Sequence, residues 1–281
     1  MPPSVGLCAN IELARISGYI VRETYGIAPR HPRGAGSEAN IDMALNMLHN
    51  WHSRLPAALQ IPPGQILLDP ACCTMHMGYN QLIILTTRPV FFAAIKKKVA
   101  QRMFSELSSS GRHIHRMHTR SCIEAAQRNL ELARLLQSAN RNWLQSGLHF
   151  LFNAAVVLLL NRISSACEDK IDSDRGVEGP HAAEIGFAIH VFEQEAKTGT
   201  NYPRDCCRVL HDLKTLSDRY VLTTNMQQRA VSRDSGTPVP ELATLSLQRP
   251  SPRSSDGLNV YQEIMTWAQI DGLQLQDTLH I

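Results

Sequence analysis

The stretch that decides the fold is Asp69 to Pro89, DPACCTMHMGYNQLIILTTRP, which predicts one buried helix. Asp69 is expected to cap the first free amides, and Pro70 suits the first helical position because an N–H would be unpaired there anyway. Apolar residues occupy nearly every side of the following turns, which indicates burial on several faces. Since Pro89 cannot donate the next helical hydrogen bond and disfavours the helical conformation at Arg88, we expect the helix to end there or to kink sharply.

Helical patterns continue on both sides of this stretch and cover most of the chain. Apolar residues recur at spacings of three and four over residues 11–25, 41–55, 90–107, 122–136, 148–166, 185–196 and 206–220. Glycine and proline lie between these segments, and Gly199-Thr200-Asn201 predicts the turn between the last two. The sequence therefore predicts an all-α fold, with a multi-helix domain over residues 1–228.

The composition changes near the C-terminal end. Residues 229–257 are rich in Ser, Pro, Arg, Gly and Thr and lack apolar periodicity, which predicts a flexible linker. Residues 258–281 carry Glu263, Asp271 and Asp277 among aromatic and aliphatic side chains, with no lysine or arginine. This mixture is typical of an activation segment that folds on binding a coactivator, and equally of a C-terminal helix that docks on the domain. Both interpretations stay open.

Composition excludes several classes of protein. The chain has 281 residues, of which 43% are hydrophobic and 19% charged, and its formal net charge of +3 is too small to indicate nucleic acid or a membrane surface. The most apolar run, residues 148–160, is interrupted by polar residues and is shorter than a spanning helix. No secretory signal is recognisable in residues 1–10. We therefore expect a soluble chain that is not secreted and contacts no membrane.

Cysteine and histidine patterns do not predict a metal site. The seven cysteines show no C-x-x-C spacing, which argues against structural zinc and against a disulfide framework and favours reduced thiols. His113, His115 and His118 lie close in sequence, but no cysteine or carboxylate stands at ligand spacing beside them. We expect these three to be surface histidines.

Motifs of common enzymes are also missing. The sequence contains no G-x-S-x-G, no glycine-rich phosphate loop, no H-E-x-x-H and no paired carboxylates on an apolar helix. We expect that the protein is not an enzyme and that this chain itself holds no cofactor.

Three elements of the sequence together resemble a known family. They are a tryptophan followed by Leu-Pro (Trp51, Leu55, Pro56), the segment MHMGYNQL at residues 75–82, and Thr87-Arg88-Pro89. In order and spacing they resemble the middle homology region of fungal zinc binuclear cluster transcription factors, where a W…LP pattern precedes a histidine-apolar-x-tyrosine helix ending in Arg-Pro. The resemblance continues to about residue 220. The methionines that flank the motif histidine are a mild departure from the usual aliphatic neighbours.

The resemblance implies a regulatory domain of a nuclear protein that controls transcription by RNA polymerase II. In the family, an N-terminal cluster of six cysteines binds two zinc ions, and this cluster reads DNA. None of those cysteine positions exists in this sequence. DNA binding and zinc are therefore expected only in a full-length parent or through a partner chain. No catalytic, cofactor-binding or metal residue carries over. The residues that do carry over are expected to form a structural core, with Arg88 satisfying carbonyls at the end of the central helix: Trp51, Leu55, Pro56, Tyr79, Arg88 and Pro89.

Partners follow from the same resemblance. It implies protein partners, such as a second copy or a coactivator, and a small-molecule effector. Because helices that precede this region in the family are missing, we expect uncovered apolar surface on Ile11 to Tyr25 and self-association. An alternative of a different class is a stand-alone helical module that binds a protein or an effector, and not DNA.

Overall fold

A computed structural model of the protein describes residues 3–25, 38–61, 69–104, 112–138, 143, 145–166 and 181–234. Within these ranges the chain is helical and contains no strand, which confirms the predicted all-α fold. The α-helices are α1 (Pro3–Thr24), α2 (Glu38–Ser53), α3 (Pro70–Phe104), α4 (Arg112–Ser138), α5 (Gln145–Ala166), α6 (Ala182–Ala196) and α7 (Asn201–Asp234), with a short 3-10 turn at Ala57–Leu59.

Helices α3 and α5 form the centre of the molecule. Helix α3 packs against α1, α2, α4 and α5, while α5 packs against α3, α4, α6 and α7. Among the described helices, α5 alone is long and apolar enough to cross a membrane, yet most of that apolar stretch is buried against its neighbours. An apolar helix covered by other helices is what the core of a helical domain requires.

The central helix does not end at Pro89. Asp69 accepts a hydrogen bond from the amide of Ala71 at 2.9 Å, which confirms the predicted start. The predicted end at Pro89 is wrong, because α3 continues through Pro89 to Phe104 and includes the segment predicted as a separate helix, while the alternative of a kink at Pro89 stays a prediction. A proline leaves the carbonyl four residues earlier without its helical donor. In this helix that carbonyl belongs to Leu85, and the Tyr25 hydroxyl donates to it at 2.6 Å.

The last two described helices also bear on the sequence predictions. The turn between α6 and α7 is confirmed, and Gly199 has a φ of 91°, which a residue with a side chain rarely adopts. Helix α7 runs to Asp234 and therefore enters the range assigned to the linker. The rest of 229–257 and the whole of 258–281 lie outside the described residues, so the domain boundaries remain predictions.

Helix α1 has one buried and one exposed apolar face. Leu13, Ile16 and Ile20 are buried against the core, whereas Leu7 and Ile11 are 59% and 45% exposed. Apolar surface is thus uncovered on this helix within the described part of the chain. Self-association through that surface remains a prediction.

Candidate functional site

The motif residues of α2 and α3 meet in an aromatic cluster, formed by Trp51, His52, His76 and Tyr79. Trp51 and Tyr79 stack with ring centroids 5.5 Å apart and 25° between the planes, and His52 also stacks on Tyr79, with centroids 4.9 Å apart. The indole N–H of Trp51 donates to the carbonyl oxygen of Ala9 at 3.0 Å. The cluster therefore joins α1, α2 and α3 through one fully buried side chain.

The Leu-Pro pair turns the chain from α2 towards α3. Leu55 is buried, while Pro56 is exposed and stands immediately before the 3-10 turn. The turn places the carbonyl oxygen of Leu59 where two side chains of α3 donate to it, His76 Nε2 at 2.7 Å and Cys72 Sγ at 3.3 Å. Because a carbonyl can only accept, His76 carries its proton on Nε2. These contacts fasten the end of α2 to the first turns of α3.

Arg88 lies in the middle of α3, so the prediction that it satisfies carbonyls at a helix end is wrong. Its side chain is buried, with the guanidinium carbon 4.9 Å from the ring centroid of Phe92, and Pro89 beside it is exposed. Burial lowers the pKa of Arg88 and raises the pKa of Cys122 to about 12. The pKa of Tyr25 is likewise raised well above its ordinary value by burial. The Cys122 thiol and the Tyr25 phenol therefore stay protonated at neutral pH.

His118 is not a surface histidine. It is buried, and its Nε2 lies 2.8 Å from a carboxylate oxygen of Asp42 on α2. The side chains of His113 and His115 lie outside the described part of the structure. Sequence could not place His118 in the core because its partner is 76 positions away.

The described residues do not fit a zinc cluster. Within them, no group of three or more His, Cys, Asp or Glu side chains could hold a metal ion. Six cysteines are described and all are free thiols, while Cys167 lies outside the described ranges. Burial raises the pKa of Cys73 to about 11, which makes its thiolate a rare species at neutral pH.

His149 on α5 is held in its neutral form. The Asn153 amide donates to Nε2 across 3.0 Å, so the ring proton sits on Nδ1, which faces the Tyr202 hydroxyl at 3.3 Å. Burial, and then the charge of Arg88, lower the pKa of His149, and burial lowers that of His76. Both histidines thus bind protons more weakly in the folded protein than in the unfolded chain.

We expect the protein to lose stability as the pH falls below about 6.5, the ordinary histidine pKa. Between the ordinary pKa and the lowered pKa values, His76 and His149 bind protons in the unfolded chain but not in the folded protein. Acid therefore favours unfolding in this pH range. Urea unfolding at pH 7.5, 6.5 and 5.5 measures the free energy of unfolding across this range. His149→Gln should reduce the pH dependence and exposed His190→Gln should not; a free energy of unfolding that is constant or rises towards pH 5.5 would contradict the expectation.

A cleft of about 510 Å³ opens between α1, α3 and α5. The residues that line it carry small, apolar or uncharged polar side chains: Asn10, Leu13, Pro70, Ala71, Thr74, Met75, Gly78, Ser146 and Phe150. Nothing in the sequence pointed to this cleft, because its walls come from helices far apart along the chain. The one local signal is a glycine inside an otherwise well-formed helix, at position 78, which a packing or binding reason commonly explains.

Two curated fungal proteins are similar to part of this chain. Both are named acetamidase regulatory protein, one from Aspergillus fumigatus and one from Emericella nidulans, and each is 35% identical over 78 residues. The match covers 28% of this chain and only 10% and 9% of the respective relatives. No family model matches the chain, and no solved structure matches it. At this coarse level the chain is similar to fungal regulatory proteins.

Proposed function

We propose that this chain is the regulatory portion of a fungal transcription factor that controls transcription by RNA polymerase II in the nucleus. The observation that carries the proposal is its similarity to two fungal regulatory proteins. The all-α fold agrees with the regulatory region that the sequence motif resembles. DNA binding would then belong to a zinc cluster outside this chain or to a partner chain.

The buried motif residues support this proposal. Trp51, Leu55, Tyr79 and Arg88 are all buried. Part of the motif that resembles the family is therefore buried in this fold. Pro56 and Pro89 are exposed, and their expected structural roles remain predictions.

The test fuses the chain to a DNA-binding domain from another protein, which brings the chain to a promoter. We expect the full chain, fused to that domain, to change transcription of a reporter that carries the matching operator. The control is the same fusion with Trp51→Ala, which should lose the effect because the regulatory domain is destabilised. A second fusion that lacks 258–281 asks whether the acidic tail supplies activation. An equally abundant fusion that leaves both a basal and an activated promoter unchanged would contradict the proposal.

A second function, a stand-alone effector-sensing or interaction module, is favoured by the cleft between α1, α3 and α5. The two functions differ in what lies upstream of Met1. Mapping the 5′ end of the transcript tests whether an upstream coding segment supplies six zinc-binding cysteines, which only the first function would use. In both cases the purified chain should show no salt-dependent affinity for duplex DNA. Specific binding of a duplex by the chain alone would contradict both.

A further inference from the structure

We infer that the cleft between α1, α3 and α5 binds a neutral, largely apolar small molecule that carries an N–H or O–H donor. The regulatory consequence of this inference rests on the proposed function, while binding itself does not. The cleft volume of about 510 Å³ lies within the range of sites that hold drug-sized ligands. An apolar lining with a few polar groups is also what such sites have in common.

The charge of the lining excludes ions as preferred ligands. Among the described residues that line the cleft, none has an ionisable side chain. An ion that entered would give up part of its hydration without an opposite charge in return, and that loss is costly. A neutral molecule has no such penalty and gains from contact with Leu13, Met75 and Phe150.

Thr74 presents an acceptor to the cleft, while Asn10 presents both an acceptor oxygen and a second amide hydrogen. Thr74 donates its only hydroxyl hydrogen to the carbonyl of Pro70 at 2.9 Å, so the hydroxyl oxygen is left to accept. Asn10 donates an amide hydrogen to the carbonyl of Gly6 at 3.0 Å, which orients its amide on α1. A ligand with an N–H or O–H group can donate to these oxygens, whereas a ligand with acceptors only leaves Thr74 without a partner for its lone pairs.

Gly78 forms the part of the cleft between α1 and α5. A Cβ atom built there would lie 3.8 Å from Leu13 Cδ2 and 4.0 Å from the Phe150 ring, both ordinary van der Waals distances. A side chain at position 78 therefore fits without a clash at its first carbon, and a longer one occupies cleft space. This position allows the cleft to be filled while the helix is kept.

The experiment uses the full chain and three probes of nearly equal shape. They are 2-naphthamide, which is neutral and has N–H donors; methyl 2-naphthoate, which is neutral and has acceptors only; and 2-naphthoate, which is an anion. We expect 2-naphthamide to bind most tightly, with the ester roughly fivefold weaker for the missing hydrogen bond and the anion weakest. Titration followed by NMR should move the methyl signal of Met75 in the cleft and leave that of exposed Met43 unchanged.

Two variants with matched controls locate the binding. Gly78→Leu should abolish binding of 2-naphthamide, whereas Gly186→Leu, at a helical glycine with open space around it, should not. Thr74→Val should weaken binding roughly fivefold and make the amide and the ester equal. Its control is Thr215→Val, because Thr215, which is exposed on α7, makes the same bond to the carbonyl four residues earlier. Circular dichroism and thermal unfolding confirm that each variant is folded.

The inference is overturned if no probe binds up to its solubility limit, if the anion binds best, or if folded Gly78→Leu binds 2-naphthamide as the parent does. The reporter fusion gives a separate outcome. A chain that binds 2-naphthamide in the cleft but never affects transcription would support the cleft and contradict the proposed function. A chain that regulates the reporter but binds no probe would support the proposed function and contradict the cleft as a binding site.

Discussion

Replacing Trp51 by alanine is expected to lower the free energy of unfolding by about 3 to 5 kcal/mol, the range for large aromatic side chains removed from a core. Trp51 is only 1% exposed, stacks on Tyr79 and donates its indole N–H to the carbonyl of Ala9. The substitution leaves a cavity where α1, α2 and α3 meet and leaves that carbonyl without its side-chain donor. Urea unfolding followed by circular dichroism measures the change.

Two further variants separate the contributions of Trp51. Trp51→Phe keeps an aromatic ring in the core but removes the donor to Ala9, so we expect a smaller loss, about 1 to 3 kcal/mol. Trp143→Ala is the matched control, because this tryptophan packs against the core while only partly buried. If Trp51→Ala costs no more than Trp143→Ala, the aromatic cluster does not hold the three helices together.

Tyr25 and Pro89 are expected to be energetically coupled although they are far apart along the chain. Tyr25→Phe removes the hydroxyl that donates to the Leu85 carbonyl at 2.6 Å, and we expect a loss of about 1 to 3 kcal/mol because that oxygen then lacks any helical donor. Pro89→Ala restores the amide of residue 89 and relieves the contact of the proline ring with the preceding turn. Its net effect is a gain of about 1 to 2 kcal/mol after the greater freedom of the unfolded chain is included.

The double variant distinguishes this mechanism from simple additivity. In the Pro89→Ala background, the Leu85 carbonyl has an amide donor whether or not Tyr25 keeps its hydroxyl, so Tyr25→Phe should cost about 1 kcal/mol less than in the parent. Tyr19→Phe, at a partly buried tyrosine of α1, is the control and should show no coupling to Pro89→Ala. Urea unfolding of the two single variants and the double variant measures the coupling. Additive effects of Tyr25→Phe and Pro89→Ala would contradict the role given to the hydroxyl.

These contacts attach α1 to the centre of the molecule along its length. Near the start of α1, the Ala9 carbonyl accepts a hydrogen bond from Trp51. Asn10 and Leu13 of α1 line the cleft. Just after the end of α1, Tyr25 donates a hydrogen bond to the Leu85 carbonyl. A ligand in the cleft would therefore touch the helix whose two ends are already fixed to α2 and α3. Binding should raise the unfolding temperature as the ligand concentration increases, since a ligand that binds only the folded state stabilises it.

Local rules were sufficient for much of the fold. The start of α3 at Asp69 and Pro70 follows from capping, which depends only on neighbouring residues. The turn at Gly199 follows from the backbone freedom of glycine. Burial of Trp51 and Tyr79 follows from their position on apolar helical stripes. The resemblance to the family rests on the same short-range patterns.

By itself, then, the sequence determined that the described part of the chain is helical, where α3 begins, and that Trp51 and Tyr79 are buried. Tertiary structure alone decided that α3 passes Pro89, that His118 is buried against Asp42, and that a cleft opens beside Gly78. The reason is physical. A capping or turn residue acts on the adjoining backbone, whereas the hydroxyl that replaces a missing amide, the carboxylate that pairs a buried histidine and the opposite wall of a cleft all come from distant segments.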